Sequence, residues 1–478
     1  MQRSRQQARF RGRRGVLHAA LWLLLTAGGL ATGFVALPAL ADDPGGMRLR
    51  LGIEQRVEAG RNLGLTVPAE GSTALSTTRF SAAFNSETRT QRLSISADSA
   101  LRFGRTPAGS VRGLDDPRLR FSYRREGTRE ELRLDGDWRR SQVEFLRALS
   151  DFVGEDGIIT LPEDFEDLTG TGQRTDYSLR GRLELGRDLP LGLVVNARHS
   201  AIRYSDTTNP DLFDTRREGL DATLRLQLAP VATARLTAGR ERYRADDAEQ
   251  TRRVTDRLDL GLDYEISPVL RMDAGIGWRR IDTTESGTST RRQGLAGRLG
   301  FDLERPDGRY SLGYDAGRDQ TGLRQTLRVD RVLARPDGEI RGGIGVTRSP
   351  NGSNDVIGDL AWRRDLPDGR LTARLSRSVT TTSDDETRLR TVLSLGWQQE
   401  INAVSSFGLG LDHSRSAATA TANRLDRTDL SARYTHQLTR DWALNVGASY
   451  GLRNEQGVGR SSAPLVFLTL GRQFDFRL

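Results

Sequence analysis

PLVFLTLGRQFDFRL, residues 464–478, is the most informative stretch of the sequence. From Val466 onward every second residue is apolar or aromatic except Arg472, and after Phe467 the residues between them are polar or small. This period of two predicts a β-strand with one apolar and one polar face. Because the sequence ends on such a strand, we expect the strand to close a sheet and not to leave an exposed edge. An amphipathic strand of a soluble β-sandwich would share the pattern, so the rest of the chain has to decide.

The same alternation recurs from Met47 to the end of the chain. Even-numbered positions are apolar in 220–228, 270–278 and 442–450, and the positions between them are polar or small. A helical period fails here, because Arg and Asp would fall inside any apolar stripe. Counting the alternating segments, with examples at 89–103 and 118–126, predicts about 22 strands, within a range of 20–24.

The predicted connections are of two kinds, which follow one another along the chain. Pro-Asp-Gly at 306–308, 336–338 and 367–369 is typical of tight hairpin turns. Between the tight turns lie longer polar connections at 205–218, 244–252, 282–290, 348–354 and 414–423. Short turns at one rim and long loops at the other predict an all-β fold, a single transmembrane up-and-down antiparallel barrel with periplasmic turns and extracellular loops.

Aromatic residues support this orientation. They stand on the apolar rows a few residues before tight turns, as an interfacial belt would require: Tyr264, Phe301, Trp362, Trp397 and Tyr434. A soluble sandwich gives no reason for such residues to line up at one distance from a rim.

The N-terminus resembles a secretory signal peptide. Six arginines precede an apolar run from Val16 to about Leu37, and Ala39-Leu40-Ala41 supplies small residues for cleavage. We therefore predict a signal peptide at 1–41 and a barrel at 42–478. The apolar run is long for a signal peptide, so an uncleaved membrane anchor is the alternative.

Composition excludes several classes of function. The net charge of +9 falls to +3 without residues 1–41, so the sequence gives little support for a nucleic-acid partner. The absence of Cys excludes disulfides, a lipoprotein anchor and thiolate metal sites. We predict no metal site and no cofactor.

The final strand also resembles the C-terminal sorting signal of bacterial outer-membrane barrels, whose pattern is polar-x-Gly-x-x-aromatic-x-aromatic. Gly471, Phe474 and Phe476 match it, although Arg477 and Leu478 follow the last aromatic. With the signal peptide and the strand pattern, the chain resembles the porin-like kind of outer-membrane barrel without a plug domain. The resemblance implies a location in the outer membrane of a Gram-negative bacterium. It implies as partners the membrane lipid, lipopolysaccharide, the barrel-assembly machinery and small solutes.

The predicted inner face carries many charged side chains. The strand registers point these residues into the lumen: Arg180, Arg182, Arg225, Arg257, Arg271, Arg298, Arg324, Arg388, Arg390, Arg433, Asp259, Asp263 and Asp273. Rings of Arg bias a water-filled pore toward anions. Alternatively, Arg and Asp pair across strands and hold the wall rigid without selecting a solute.

The longest connection, roughly 140–173, is rich in acids: Asp151, Glu155, Asp156, Glu163, Asp164, Glu166 and Asp167. It resembles the constriction loop of trimeric porins, which folds into the lumen and faces a basic wall. The resemblance implies that these carboxylates meet inward arginines and narrow the pore. The alternative is an exposed loop that interacts with lipopolysaccharide and divalent ions.

An enzyme is not expected. His199, His413 and His436 lie on separate predicted strands, whereas outer-membrane hydrolases need clustered catalytic pairs near the outer rim. We predict a passive diffusion channel for small hydrophilic solutes. The alternatives are a structural or surface-polymer-export-associated barrel, or an adhesin that acts through its extracellular loops.

Overall fold

A computed structural model describes residues 46–143, 149–152, 159–168, 170–382, 385–418 and 424–478. The predicted signal peptide, 1–41, lies outside these residues. Among the described residues no helix is long and apolar enough to cross a membrane.

The described residues form 22 β-strands and one short 3₁₀ helix, Leu149–Phe152. The strands are β1 (Gly46–Arg61), β2 (Ser72–Glu87), β3 (Gln91–Thr106), β4 (Gly109–Glu126), β5 (Glu130–Gln142), β6 (Gln173–Leu185), β7 (Leu191–Ser205), β8 (Thr215–Ala229), β9 (Ala232–Ala245), β10 (Arg252–Ser267), β11 (Leu270–Glu285), β12 (Thr288–Arg305), β13 (Gly308–Arg318), β14 (Leu323–Arg335), β15 (Gly338–Arg348), β16 (Asn354–Leu366), β17 (Gly369–Thr381), β18 (Thr387–Asn402), β19 (Ser405–Ala418), β20 (Arg424–Gln437), β21 (Trp442–Glu455) and β22 (Gly459–Arg477).

Each strand pairs antiparallel with its neighbours in sequence, and the last strand closes the ring on the first. β1 and β22 pair over thirteen positions, from Arg48 opposite Arg477 to Gly60 opposite Leu465. Phe474 lies opposite Leu51 and Phe476 opposite Leu49, so the terminal aromatics belong to the closing seam. The predicted fold class is confirmed: the described chain is a closed 22-stranded antiparallel barrel.

The connections divide between two rims. At one rim, which also holds Gly46 and Arg477, the turns between described strands are two to five residues long, as at 306–307 and 186–190. In the Arg305–Gly308 turn, Gly308 has φ +128°, and a Cβ there would collide with the carbonyl of Val332. The opposite rim holds connections that range from 107–108 to the long segment 143–172.

Stretches predicted to lie between strands prove to be strand residues, most clearly in two places. Residues 282–290 lie in a hairpin, β11 and β12, which is joined by the two-residue turn 286–287. Residues 109–117 belong to β4, which begins well before the predicted position 118. In both places the strands run beyond their apolar rows, where neither face needs apolar residues and the alternating pattern disappears.

The strand registers divide the side chains between two faces. One face carries exposed large apolar side chains around the ring, such as Leu226, Leu260, Leu299, Val329 and Leu409. The other face is polar and charged. A large apolar surface exposed around the ring is what a lipid-facing wall requires.

Candidate functional site

The inner face of the barrel is identified by contacts that cross the ring. Segment 143–172 leaves the wall between β5 and β6, yet its residues contact β18 and β20. These strands lie on nearly opposite sides of the 22-stranded ring, so the contacts pass through the interior. The residues that make them share a face with the charged rows, and the apolar rows therefore face outward.

Register places every sequence-predicted wall residue on this inner face. Arg180, Arg182 and Arg225 share the face of Arg174 and Arg217, which contact the segment. Arg388 and Arg390 contact it themselves. The remaining members alternate with outward apolar residues on their strands: Arg257, Arg271, Arg298, Arg324, Arg433, Asp259, Asp263 and Asp273.

Most of the inner charges are paired across strands. Glu184 accepts from Arg225 at 2.7 Å and from Arg182 at 3.1 Å. Asp221 lies between Arg257, at 2.7 Å, and Arg198, at 3.3 Å. Such pairs link strands that are first or second neighbours in the ring, and they leave less net positive charge on the wall than the number of arginines suggests.

Asp164 and Asp167 tie the acidic segment to its own side of the barrel. Asp164 pairs with Arg174 of β6 at 2.7 Å, and the hydroxyl of Tyr204 on β7 also donates to Asp164. The Asn209 side-chain amide donates to the carbonyl of Asp167 at 3.1 Å. Arg174 is buried, and its guanidinium donates to two carboxylates: Nη1 to Asp164, and Nε and Nη2 to Asp176.

Residues 161–163 and Glu166 tie the segment to the opposite wall. Arg390 of β18 donates to the Glu166 carboxylate at 2.8 Å and to the carbonyls of Leu161, Pro162 and Glu163 at 3.0–3.3 Å. Arg388 lies 3.7 Å from Glu166. One arginine thus holds both a buried carboxylate and three backbone carbonyls, of which that of Pro162 also accepts from the Phe165 N–H.

The short 3₁₀ helix reaches deeper into the lumen. The backbone N–H of Leu149 donates to Asp429 of β20 at 2.8 Å. Asp429 is five residues from the loop-side end of its strand, which corresponds to a depth of roughly 12 Å for a rise of about 3.3 Å per residue and a tilt of about 40°. The segment therefore enters the barrel and does not only cover its mouth.

Apolar packing also holds the segment against β18 and β20. Leu149, Ile159 and Phe165 from the segment are buried against Val392 of β18 and Leu425 of β20. The rings of Phe152 and Phe165 pack edge to face, with centroids 5.4 Å apart. A second cluster joins Val143 and Leu168 to Leu212 on the near side. Apolar side chains on an inner wall need this cover, because the lumen is otherwise polar.

Charged contacts also join the segment to β8, and loop 382–386 to β10. Glu163 pairs with Arg217 of β8 at 3.3 Å, and Arg253 of β10 pairs with Asp385 of loop 382–386 at 2.9 Å. Burial raises the pKa of Asp385, and Arg253 opposes that shift. A polar cavity of about 110 Å³ remains among these residues, lined by Glu163, Arg217, Glu241, Tyr243, Arg253 and Thr381.

The structure therefore brings three predicted acids of the segment against arginines: Glu163, Asp164 and Glu166. Asp167 contributes its carbonyl to the packing. Glu155 and Asp156 lie outside the described residues, and for Asp151 only the backbone is described. Sequence reasoning did not single out Arg174, Arg217 and Arg253. Their alternation with outward neighbours would have placed them inward, but Arg217 stood inside a predicted loop, and Arg174 and Arg253 directly followed two others.

The structure also pairs a serine with a histidine at the short-turn rim. Ser405 Oγ lies 2.8 Å from His436 Nδ1, and the Tyr434 hydroxyl donates to Ser405 at 3.1 Å. A nucleophilic triad also needs a carboxylate to orient the histidine. Among the described residues, the histidine that forms an ion pair with a carboxylate is His199, which pairs with Glu218 far from this site.

No known family model matches the sequence, and no curated protein is detectably similar to it. Solved structures do share its fold. The FrpB iron transporter from Neisseria meningitidis is 10% identical with a TM-score of 0.56, and the match covers 91% of this chain and 83% of that one.

Two further structures are similar. The ferric-catecholate import receptor Fiu from E. coli K12 has 10% identity and a TM-score of 0.53, covering 88% of this chain and 81% of that one. The copper transporter OprC has 11% identity and a TM-score of 0.51, covering 90% and 80%. At these identities the likeness shows the fold alone: an outer-membrane β-barrel of the kind found in transporters and receptors. An outer-membrane location is consistent with that fold.

Proposed function

We propose that the protein is a passive diffusion channel that carries small hydrophilic solutes across the outer membrane through its lumen. The observation that carries the proposal is the attachment of segment 159–168 to the opposite wall by Arg390 and Glu166. A segment fixed across the interior narrows the passage, and the paired charges below it line a path for water and polar solutes. The remaining path is then set by the segment and by the wall residues it leaves free.

The proposal is for a porin-like, non-enzymatic barrel. The iron and copper named for FrpB and OprC belong to those proteins, and we do not extend them to this chain. The inner wall supports a general polar solute, because its charges mostly neutralise one another in Arg–carboxylate pairs. We also propose that Gly471, Phe474 and Phe476 act as the signal by which the assembly machinery inserts the barrel. Signal-peptide removal at Ala41 belongs to the same proposal.

The test is single-channel conductance of the purified full chain in planar lipid bilayers. Two variants are compared with it: one lacks 150–168, and the other has 160–168 replaced by a Gly/Ser sequence of equal length. We expect steady conductance steps for the full chain and larger steps for both variants, because each loses the Arg390–Glu166 contact and the packing of Phe165. A full chain without steps would contradict the channel and favour a structural, export-associated or adhesive barrel. Steps of unchanged size in both variants would contradict the constriction.

A further inference from the structure

Five exposed arginines form a cluster on the outer surface near the loop-bearing rim. Arg216 of β8 lies directly opposite Arg244 of β9, which lies directly opposite Arg252 of β10. Arg242 lies two residues from Arg244 on the same outward row, and Arg203 of β7 is diagonal to Arg216. Their outward direction follows from register, because they alternate in phase with Leu220, Leu236 and Leu258, which are exposed.

Like charges opposite one another on neighbouring strands are unfavourable. Glu218 pairs with Arg216, and no described residue forms an ion pair with Arg244 or Arg252. The nearby carboxylate of Asp247 accepts a hydrogen bond from the Thr251 backbone at 2.8 Å, and that of Asp214 accepts one from the Tyr204 backbone at 2.8 Å. Arg244 and Arg252 therefore lie opposite each other without an ion pair among the described residues, and an external anion would relieve their repulsion.

The height of the cluster identifies the kind of anion. On β10 the outward positions are uninterruptedly apolar or aromatic from Ile266 to Leu258. Asp256 then interrupts the row, Val254 follows it, and Arg252 stands six residues beyond Leu258 toward the loop rim. With a rise of about 3.3 Å per residue and a tilt of about 40°, Arg252 lies roughly 15 Å above the apolar band. Arg242, opposite Val254, lies roughly 10 Å above it on the same estimate.

These heights exceed the depth of an ordinary phospholipid headgroup layer, which adds roughly 5–8 Å to each side of the hydrocarbon core. A lipid whose phosphates are carried on a saccharide headgroup can present them at this level. Guanidinium groups bind phosphate oxygens in bidentate pairs, and five of them on four adjacent strands offer several such positions.

We propose that Arg203, Arg216, Arg242, Arg244 and Arg252 form a binding surface for the phosphate groups of an outer-leaflet glycolipid. The surface faces the membrane and not the lumen, so the inference does not depend on which solute the channel carries. On this proposal, the glycolipid headgroups pack against the outer side of β7–β10, at the strand ends whose inner side holds Arg217 and Arg253.

The experiment measures lipid binding to the detergent-solubilised full chain by native mass spectrometry. The probes are bisphosphorylated lipid A, its dephosphorylated form, phosphatidylglycerol and inorganic phosphate. The test variant combines Arg216→Gln, Arg244→Gln and Arg252→Gln. The control variant combines Arg305→Gln and Arg335→Gln, which are outward and exposed at the other rim. Heat-modifiable gel migration verifies that each variant is a folded barrel.

We expect the full chain and the control to bind bisphosphorylated lipid A, and the triple variant to bind it roughly 100-fold more weakly. We expect the dephosphorylated form, phosphatidylglycerol and inorganic phosphate to bind far more weakly to every barrel. A lysine triple variant should fall between the two, because it keeps the charge and loses the bidentate geometry. Equal binding by the folded triple variant, or equal binding of phosphatidylglycerol, would overturn the proposal.

Discussion

Arg390 on β18 donates a 2.8 Å hydrogen bond to the carboxylate of Glu166, which lies 224 positions earlier in the chain. The two residues come from nearly opposite walls of the barrel, and both side chains are almost fully buried. A buried pair of this kind is costly to break from one side, because the remaining charge is left without a partner. The contact therefore fixes the position of the segment inside the lumen.

Replacing Arg390 by alanine should release the segment from β18. Removing one member of a buried ion pair costs about 3–5 kcal/mol, and three carbonyls lose a donor as well. We expect larger and noisier single-channel steps. The control is Arg415→Ala, whose outward pair with Asp426 at 2.6 Å is exposed on the arginine side and contributes at most about 1 kcal/mol. Identical recordings for Arg390→Ala and the unmodified chain would contradict the anchoring role.

The apolar anchor should matter independently of the ion pair. Phe165 is buried against Val392 and Leu425, and truncating a buried Phe to Ala costs about 3–5 kcal/mol. We expect Phe165→Ala to raise the rate at which added protease cuts the segment, while the strands stay protected. Phe301→Ala, on the outer wall, provides the comparison and should leave that rate unchanged. If both variants are cut at the rate of the unmodified chain, Phe165 does not anchor the segment.

The ion pairs of the wall should set ionic selectivity. Asp221 holds both Arg198 and Arg257 on the inner face. Asp221→Asn removes the carboxylate that pairs with Arg257 and one of the two that pair with Arg198, which keeps Glu241. The reversal potential in a KCl gradient should therefore shift toward anion selectivity. Glu218→Gln, on the outward face of the same strand, should cause no shift. A cation shift, or no shift, for Asp221→Asn would contradict a conducting inner wall.

The closing strand should be needed for assembly. Phe476 lies opposite Leu49 in the seam between β22 and β1, and it belongs to the proposed sorting signal. We expect Phe476→Ala to lower the amount of heat-modifiable barrel in outer-membrane fractions several-fold. Phe84→Ala, which also faces outward near the short-turn rim, should leave that amount near the unmodified level. Equal amounts for both variants would show that Phe476 is dispensable for assembly.

Sequence reasoning predicted the barrel because period-two alternation is a local property of each strand. Leu220–Leu228 and Leu270–Trp278 display it directly, and the parity of each row also gave the inward direction of Arg257 and Arg298. The pattern failed at 282–290, where β11 and β12 extend above the apolar band. There both faces carry polar residues, so the hydrophobic signal that marks a strand is lost.

The candidate site was only partly accessible from sequence. The acidity of 140–173 suggested partners among inward arginines. The alternation along a strand shows which face a residue is on, but not which strand of the barrel the segment reaches. Nothing local indicates that Glu166 meets Arg390 and not Arg225, because that choice depends on the path of the segment across the ring. The apolar anchor was equally hidden: Val392 and Leu425 interrupt inward polar rows, and their meaning appears only when Leu149 and Phe165 cover them.

The most direct test of the account is whether the inner face of β8 lines the path of ions. The chain has no native Cys, so single cysteines can be labelled without background. Thr223 faces inward and its neighbour Leu224 faces outward and is exposed. Single-channel conductance is measured for Thr223→Cys and Leu224→Cys before and after a bulky, water-soluble thiol reagent. The account predicts a clear drop for Thr223→Cys and no change for Leu224→Cys, whereas an unchanged conductance for labelled Thr223→Cys would contradict it.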